Sequence, residues 1–122
     1  MFDLSGSVAI VTGGNGGVGL AYARGLVKSG CSVAIWGRNA AKNDAAVDEL
    51  LQLGGDAAAF VCDVTVEEQV DAAFAATLER FGKVDICFAN AGGGGFRGAS
   101  HMTSRESWLD TIDLNLMSVV HT

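Results

Sequence analysis

The chain has 122 residues, 49% hydrophobic and 18% charged, the make-up of one globular domain with its own core rather than of a disordered segment. Its net charge is −6, and its eight lysines and arginines are scattered from Arg24 to Arg105 without forming a run. That balance disfavours nucleic acid and anionic membrane as partners, because both need a concentrated basic face.

Ser7–Thr12 (SVAIVT) is a short β-branched run bounded by glycines and predicts a buried strand. A helix is expected over Val18–Ser29, with Val18, Tyr22 and Leu26 on one stripe and Gly30 as its C-terminal cap. Ser32–Trp36 (SVAIW) predicts the second strand. Asn39 can cap the next helix, which runs to about Leu53 on an apolar face of Val47, Leu50 and Leu51. Ala57–Cys62 (AAAFVC) predicts the third strand. Thr65 and Glu68 stand at capping-box spacing, and the helix they open places Val70, Phe74, Leu78 and Phe81 on one side until Gly82. Val84–Ala89 (VDICFA) predicts the fourth strand, followed by a glycine-rich loop from Gly92 to Gly98. Thr103 and Glu106 form a second capping-box pattern before a last helix with Trp108, Ile112, Leu116 and Val119 on one stripe.

Continuous apolar strands alternating with amphipathic helices imply an α/β fold, a parallel sheet with helices on both faces. The expected architecture is a Rossmann-type doubly wound sheet with strand order 3-2-1-4. Cys62 and Cys87 then lie on opposite edges, too far apart to bridge. Both read as buried apolar fillers in strands, and the three cysteines, with Cys31, have no metal-ligand spacing, so no metal is expected. An odd, unpaired set suits a reducing cytoplasm. The first apolar run is too short and lacks the basic flank of a secretory leader, and no stretch approaches the length of a membrane span.

The chemistry concentrates at strand ends. Val11–Gly19 (VTGGNGGVG) holds five glycines in nine residues directly after the first strand. It satisfies two nucleotide-binding patterns, Gly14-x-Gly16-x-x-Gly19 and Thr12-Gly13-x-x-x-Gly17-x-Gly19. A helix N-terminus attracts a pyrophosphate through unpaired N–H groups and the positive end of its dipole, and glycines let the backbone approach. The helix that follows has no good side-chain N-cap, as expected if a ligand satisfies its amides. After the second strand a dinucleotide fold usually places an acid on the ribose hydroxyls. The sequence instead reads Trp36-Gly37-Arg38-Asn39, and the first downstream acid is Asp44. A guanidinium suits a 2′-phosphate, so NADP(H) is expected ahead of NAD(H), with NAD still possible. The bland alternative makes Arg38 an ordinary solvated residue. His101 and His121 lack partners nearby in sequence, Trp36 and Trp108 read as packing residues, and Asp110 and Asp113 as a solvated face.

Thr12-Gly13-x-x-x-Gly17-x-Gly19, Asp63 after the third strand, Asn90-Ala91-Gly92 after the fourth and Asn115 in the last helix together resemble the short-chain dehydrogenase/reductase family, across the whole chain. The resemblance selects the first glycine register. It implies that Gly13, Asn15, Gly16, Val18 and Gly19 line the pyrophosphate and ribose of a nicotinamide dinucleotide. It implies that Asp63 takes the adenine amino group with Val64 packed beside it, and that Asn90, Ala91 and Gly92 stabilise the central strand and flank the cofactor. Asn115 would be the asparagine of the family's catalytic tetrad, holding a helix kink and a proton-relay water. The implied reaction is hydride transfer between NADP(H) and a carbonyl or secondary alcohol, in a homo-oligomer, dimer or tetramer, when intact.

The pattern breaks at the family's serine, tyrosine and lysine, the last two four residues apart. The one tyrosine, Tyr22, lies in the first helix with Leu26 four residues on. The expectation is therefore an NAD(P)-binding Rossmann domain over residues 1–122, the N-terminal, cofactor half of such an enzyme, truncated before the catalytic half and inactive by itself. Two other readings stay open: a non-catalytic nucleotide-binding module, or a fragment that needs a partner chain. A methyltransferase-type Rossmann enzyme fits less well, since it predicts an acid after the second strand and no Asn90-Ala91-Gly92.

Overall fold

A computed structural model describes residues 2–95 and 97–122; Phe96, within the expected loop 92–98, lies outside the described residues. The elements alternate as β1 (Val8–Thr12), α1 (Gly17–Lys28), β2 (Ser32–Gly37), α2 (Ala40–Gln52), β3 (Ala57–Val61), α3 (Glu67–Phe81) and β4 (Ile86–Phe88). A single 3₁₀ turn, Ser100–Met102, precedes α4 (Arg105–Ile112), a π-helical turn (Asp113–Met117) and α5 (Ser118–His121). Among the described residues no helix is long and apolar enough to cross a membrane.

The four strands form one sheet in the order β3-β2-β1-β4, every pair parallel. The register sets Ala9 beside Val33 and Ile86, and Val11 beside Ile35 and Phe88. Side chains alternate across a strand, which divides the core in two. Ala9, Val11, Val33 and Ile35 pack with Ala23, Leu26 and Val27 of α1 and Ala46 and Leu50 of α2. Ile10, Ala34 and Trp36 pack on the other face with Val70 and Ala73 of α3. Fully burying a side chain such as Leu50 is worth about 1.5–3 kcal/mol, so these two layers set the sheet's register. Trp36 is a core residue, as expected, and its indole Nε1 donates to Thr77 Oγ1 of α3 at 3.0 Å.

Tertiary packing overrides several local expectations. The buried face of α1 is Gly19, Ala23, Leu26 and Val27; Val18 and Tyr22 are exposed. On α3 it is Val70, Ala73 and Thr77, with Phe74 and Leu78 exposed. Helices lie close against a sheet where their side chains are small, so the large residues of the predicted stripes flank the contact. Leu51 of α2 is likewise exposed. Neither capping box forms. The Thr65 hydroxyl donates to Asp63 Oδ1 at 2.7 Å, and Val66 takes the N-cap of α3 without a side-chain bond. Ser104, not Thr103, caps α4, accepting from the Ser107 amide. Asn39 does cap α2, accepting from the Lys42 amide at 3.0 Å. The fourth strand is shorter than predicted, and Cys87 on it is exposed rather than buried, because it points to the α3 face at the sheet's edge.

Candidate functional site

A cleft of about 200 Å³ opens at the C-terminal ends of β1, β2 and β3, where every parallel strand delivers its following loop. The turn after β1 contributes Gly13 and Asn15, the turn after β2 contributes Arg38 and Asn39, and the first turn of α2 contributes Lys42. Asp63 and Val64 come from the segment after β3, Ala91 and Gly92 from the segment after β4. Seven of the residues read from the sequence thus share one cavity: Gly13, Asn15, Arg38, Asp63, Val64, Ala91 and Gly92. Gly16, Val18, Gly19 and Asn90 are not in its wall; they build the floor and the helix entrance next to it.

The glycine turn has distinct jobs at its positions. Gly13 takes a left-handed φ of +64°, and a Cβ there would stand 3.1 Å from the Ala91 Cα. Gly19 is buried at the first turn of α1, where a Cβ would stand 2.6 Å from Asn90 Nδ2 and also strike the Gly13 carbonyl. Gly16 is the N-cap of α1 with no side-chain bond to the helix amides, and a Cβ on it would meet no protein atom within 4 Å. Packing does not demand glycine at position 16, and the N–H groups of α1 behind it stay open to a ligand. Asn90 closes the turn from beneath, donating Nδ2 to the Thr12 carbonyl at 3.1 Å, while the buried Thr12 hydroxyl accepts from the Ala91 amide at 2.9 Å.

Two exposed cations, Arg38 and Lys42, stand on the β2 side of the cleft, and no acid of that turn lines it. Lys42 escaped the reading of the sequence because it belongs to a helix rather than to the strand end. Opposite them, Asp63 accepts at Oδ1 from the Thr65 hydroxyl and the Thr65 amide. The hydroxyl bond, against some burial, and with help from the amide and the Arg38 charge, holds its carboxyl below the usual aspartate range. Cys62 in the wall is buried, and burial together with the Asp63 charge pushes its thiol up to about 11, so it stays protonated and unreactive.

Asn43 is the site-proximal residue that sequence reasoning missed. It lies on the buried face of α2 with Ala46 and Leu50, at 2% exposure. Its Nδ2 donates to the Gly37 carbonyl at 2.9 Å, and its Oδ1 accepts from Asn15 Nδ2 at 2.9 Å. The signal existed: an asparagine at the i, i+3, i+7 spacing of a buried stripe requires a partner.

Asn115 lies outside the cleft, at the centre of the π-helical turn. Its Nδ2 donates to the Gly93 carbonyl at 3.0 Å and the Thr111 carbonyl at 2.9 Å, and its Oδ1 accepts from the Gly93 amide at 3.1 Å. It therefore clamps the loop after β4 to the widened helix turn. His121 reaches back to the Val64 carbonyl through Nδ1 at 3.2 Å.

A parallel sheet in the order 3-2-1-4, with a glycine turn leading into an uncapped helix beside a cleft at the strand ends, defines a Rossmann-type fold. A family profile described as short chain dehydrogenase matches residues 7–122. Among curated proteins, the 7alpha-hydroxysteroid dehydrogenase of Escherichia coli (strain K12) is 42% identical over 92 residues, 75% of this chain and 36% of its own length. Among solved structures, a variant of actinorhodin polyketide ketoreductase with NADPH superposes with a TM-score of 0.90 at 37% identity, over 99% of this chain and 46% of that one. NAD+-bound xylitol dehydrogenase superposes with a TM-score of 0.93 at 30% identity, over 97% of this chain and 45% of that one. The chain belongs to the short-chain dehydrogenase family, and it spans less than half the length of these three relatives.

Proposed function

We propose that the protein binds a nicotinamide dinucleotide, NADP(H) in preference to NAD(H), as the cofactor part of an oxidoreductase that moves hydride between that cofactor and a carbonyl or secondary alcohol. The observation that carries the reading is an uncapped helix N-terminus at Gly16 beside a cleft whose wall holds Gly13, Asn15, Arg38 and Lys42. The helix N-terminus suits a pyrophosphate, the two cations a 2′-phosphate. The fit is supported by the glycine turn, where Gly16 leaves the first N–H groups of α1 without a side-chain cap and a Cβ on it would meet no protein atom within 4 Å.

In this reading Gly13, Gly16, Val18 and Gly19 bring backbone close to the pyrophosphate, and Asp63 accepts from the adenine amino group with Val64 against the ring. Asn90, Ala91 and Gly92 hold the turn and flank the cofactor. The nicotinamide, when bound, supplies or receives the hydride. Asn115 steadies the loop and helix turn near the reacting end and is assigned the relay water of the family's proton path. Tyr22 does not suit the proton-donor role: it sits on α1 with its ring 5.1 Å from that of Phe88. A carbonyl or alcohol substrate is supported by the names of the relatives, a ketoreductase, a hydroxysteroid dehydrogenase and xylitol dehydrogenase. A homo-oligomer and a cytoplasmic setting belong to the same proposal, the latter supported by three free cysteines.

Titration with NADPH and NADH, followed by quenching of Trp36 and Trp108 fluorescence, tests it. Tighter binding of NADPH is expected. Failure to bind either nucleotide would refute the proposal, and binding without oxidation of NADPH by any ketone would favour a nucleotide-binding module.

A further inference from the structure

We infer that Asn43 is a positioning residue of the dinucleotide site: it locks the Asn15 amide so that Asn15 turns its carbonyl oxygen to a hydroxyl of the ligand. The inference rests on the NADP(H) reading above. Its starting point is the chemistry of the groups around Asn43. Nδ2 of Asn43 donates to the Gly37 carbonyl at 2.9 Å and reaches the Phe60 carbonyl at 3.5 Å. Both are acceptors only, so the nitrogen side of the amide must face them. That leaves Oδ1 facing Asn15, which in turn must present its NH₂ group, at 2.9 Å. The relay has one polarity, from Asn15 through Asn43 to the end of β2.

The backbone does not need this relay. The Gly37 carbonyl also accepts from the Cys62 amide at 3.2 Å, so an apolar residue at position 43 would leave it bonded. A buried amide is costly unless its bonds are made, and what this one adds over a leucine is its hold on Asn15. The strand end is shaped around the pair: a Cβ on Gly37 would stand 2.5 Å from Asn43 Oδ1 and would strike Asn15 Nδ2.

With its nitrogen engaged, Asn15 keeps a carbonyl oxygen that accepts no bond among the described residues. Asn15 shares the cleft wall with Arg38, Lys42 and Asp63, the adenosine side of the proposed site. A carbonyl oxygen repels phosphate and accepts from a hydroxyl. On a ribose whose 2′-phosphate is held by Arg38, the hydroxyl left to donate is the 3′ one. The lock thus ties the phosphate-binding turn to the β2–α2 turn and selects which ribose atom each side chain meets.

The test is a cycle of NADPH affinities for the wild-type protein, Asn15→Ala, Asn43→Leu and the double variant, with the exchange rate of the Asn15 side-chain amide protons measured by NMR without ligand. Slow exchange in the wild type is expected, together with a loss of about three- to tenfold in affinity for each single variant and no further loss in the double. Exchange at the rate of a free amide would overturn the lock even if Asn43→Leu fails to fold. Wild-type affinity in a folded Asn43→Leu, or losses that multiply, would overturn the positioning role. A wild-type protein that exchanges slowly but does not bind NADPH would instead overturn the cofactor reading, and the ligand half of this inference with it.

Discussion

Asn90 donates its side-chain amide to the carbonyl of Thr12 at 3.1 Å, joining residues 78 apart in sequence at the C-terminal ends of neighbouring strands. Thr12 is buried, and its hydroxyl accepts from the amide next to Asn90 at 2.9 Å. The two bonds fix β4 to β1 where β4 is only three residues long and its ladder is weakest. Asn90→Ala removes the donor and leaves a part-buried carbonyl unpaired, at a cost of about 1–3 kcal/mol. A thermal melt should show the lower midpoint, and NADPH affinity should fall with it because Gly13 rests on Ala91. An unchanged melt would show that the bond contributes nothing.

The glycines of the turn separate packing from binding. Gly19→Ala drives a methyl into Asn90 Nδ2 and the Gly13 carbonyl, and overpacking of this kind costs about 1–3 kcal/mol. Gly16→Ala meets no protein atom, and its extended φ of −173° suits any residue. Stability should therefore stay within about 0.5 kcal/mol of wild type in Gly16→Ala, while NADPH binding is lost. A Gly16→Ala protein that binds normally would remove the ligand from the N-terminus of α1.

These contrasts also show what the sequence carried. The β-branched run Ser7–Thr12 and the β-α alternation made the sheet and its 3-2-1-4 order legible, because burial on both faces writes itself as continuous apolar residues. The glycine turn and Arg38 were legible because each sits at a fixed place relative to a strand end. The buried helix faces were not, since Val18 and Phe74 satisfy a helical period while Ala23 and Ala73 satisfy the closer approach to the sheet. The capping boxes failed through local competition: Asp63 draws the Thr65 hydroxyl away from the helix start. Asn43 was hidden because its partners, Asn15 and Gly37, become neighbours only after the sheet forms.

Arg38 offers the sharpest test of cofactor choice. It is exposed, so Arg38→Ala leaves the core untouched. A charge-assisted bond to phosphate is worth about 1.5–3 kcal/mol, so NADPH affinity should fall about 10- to 150-fold while NADH affinity changes little. Lys42→Ala should act in the same direction more weakly, as a point charge without the guanidinium's fork. Equal losses for both nucleotides would place Arg38 away from the 2′-phosphate.

Asp63 should show its environment in its titration. The Thr65 hydroxyl bond is the largest of the effects that lower its pKa from 3.8, ahead of the Thr65 amide and Arg38. A carboxyl whose folded-state pKa is depressed contributes stability above its unfolded pKa, about 3.9, and loses it as pH falls through the folded value. Thr65→Val removes the hydroxyl and keeps the amide, so Asp63 should titrate at higher pH, and its acid-side loss of stability should be smaller and complete at higher pH. Carboxyl resonances followed by NMR read this directly. Titration at the wild-type pH in Thr65→Val would assign the depression to other groups.

The surface predicts how the 122-residue polypeptide behaves on its own. β4 stands at the edge of the sheet with one strand neighbour among the described residues, and unpaired edges recruit other chains. Beside it Tyr22 and Phe88 line an apolar groove with Leu4, and elsewhere Trp108, Leu116 and Val120 are 52%, 58% and 68% exposed. Exposed apolar surface of this kind drives association. The net charge of −6 opposes it by repulsion between copies, and salt screens that repulsion. Sedimentation velocity should therefore show self-association that grows with concentration and with added salt, and a thermal melt should be broad or low. Association that weakens with salt would point to ion pairs instead of the apolar face. A monomer at every concentration with a cooperative, high-temperature melt would show that the β1-centred core is sufficient and that the exposed stripe of α4 and α5 is no liability.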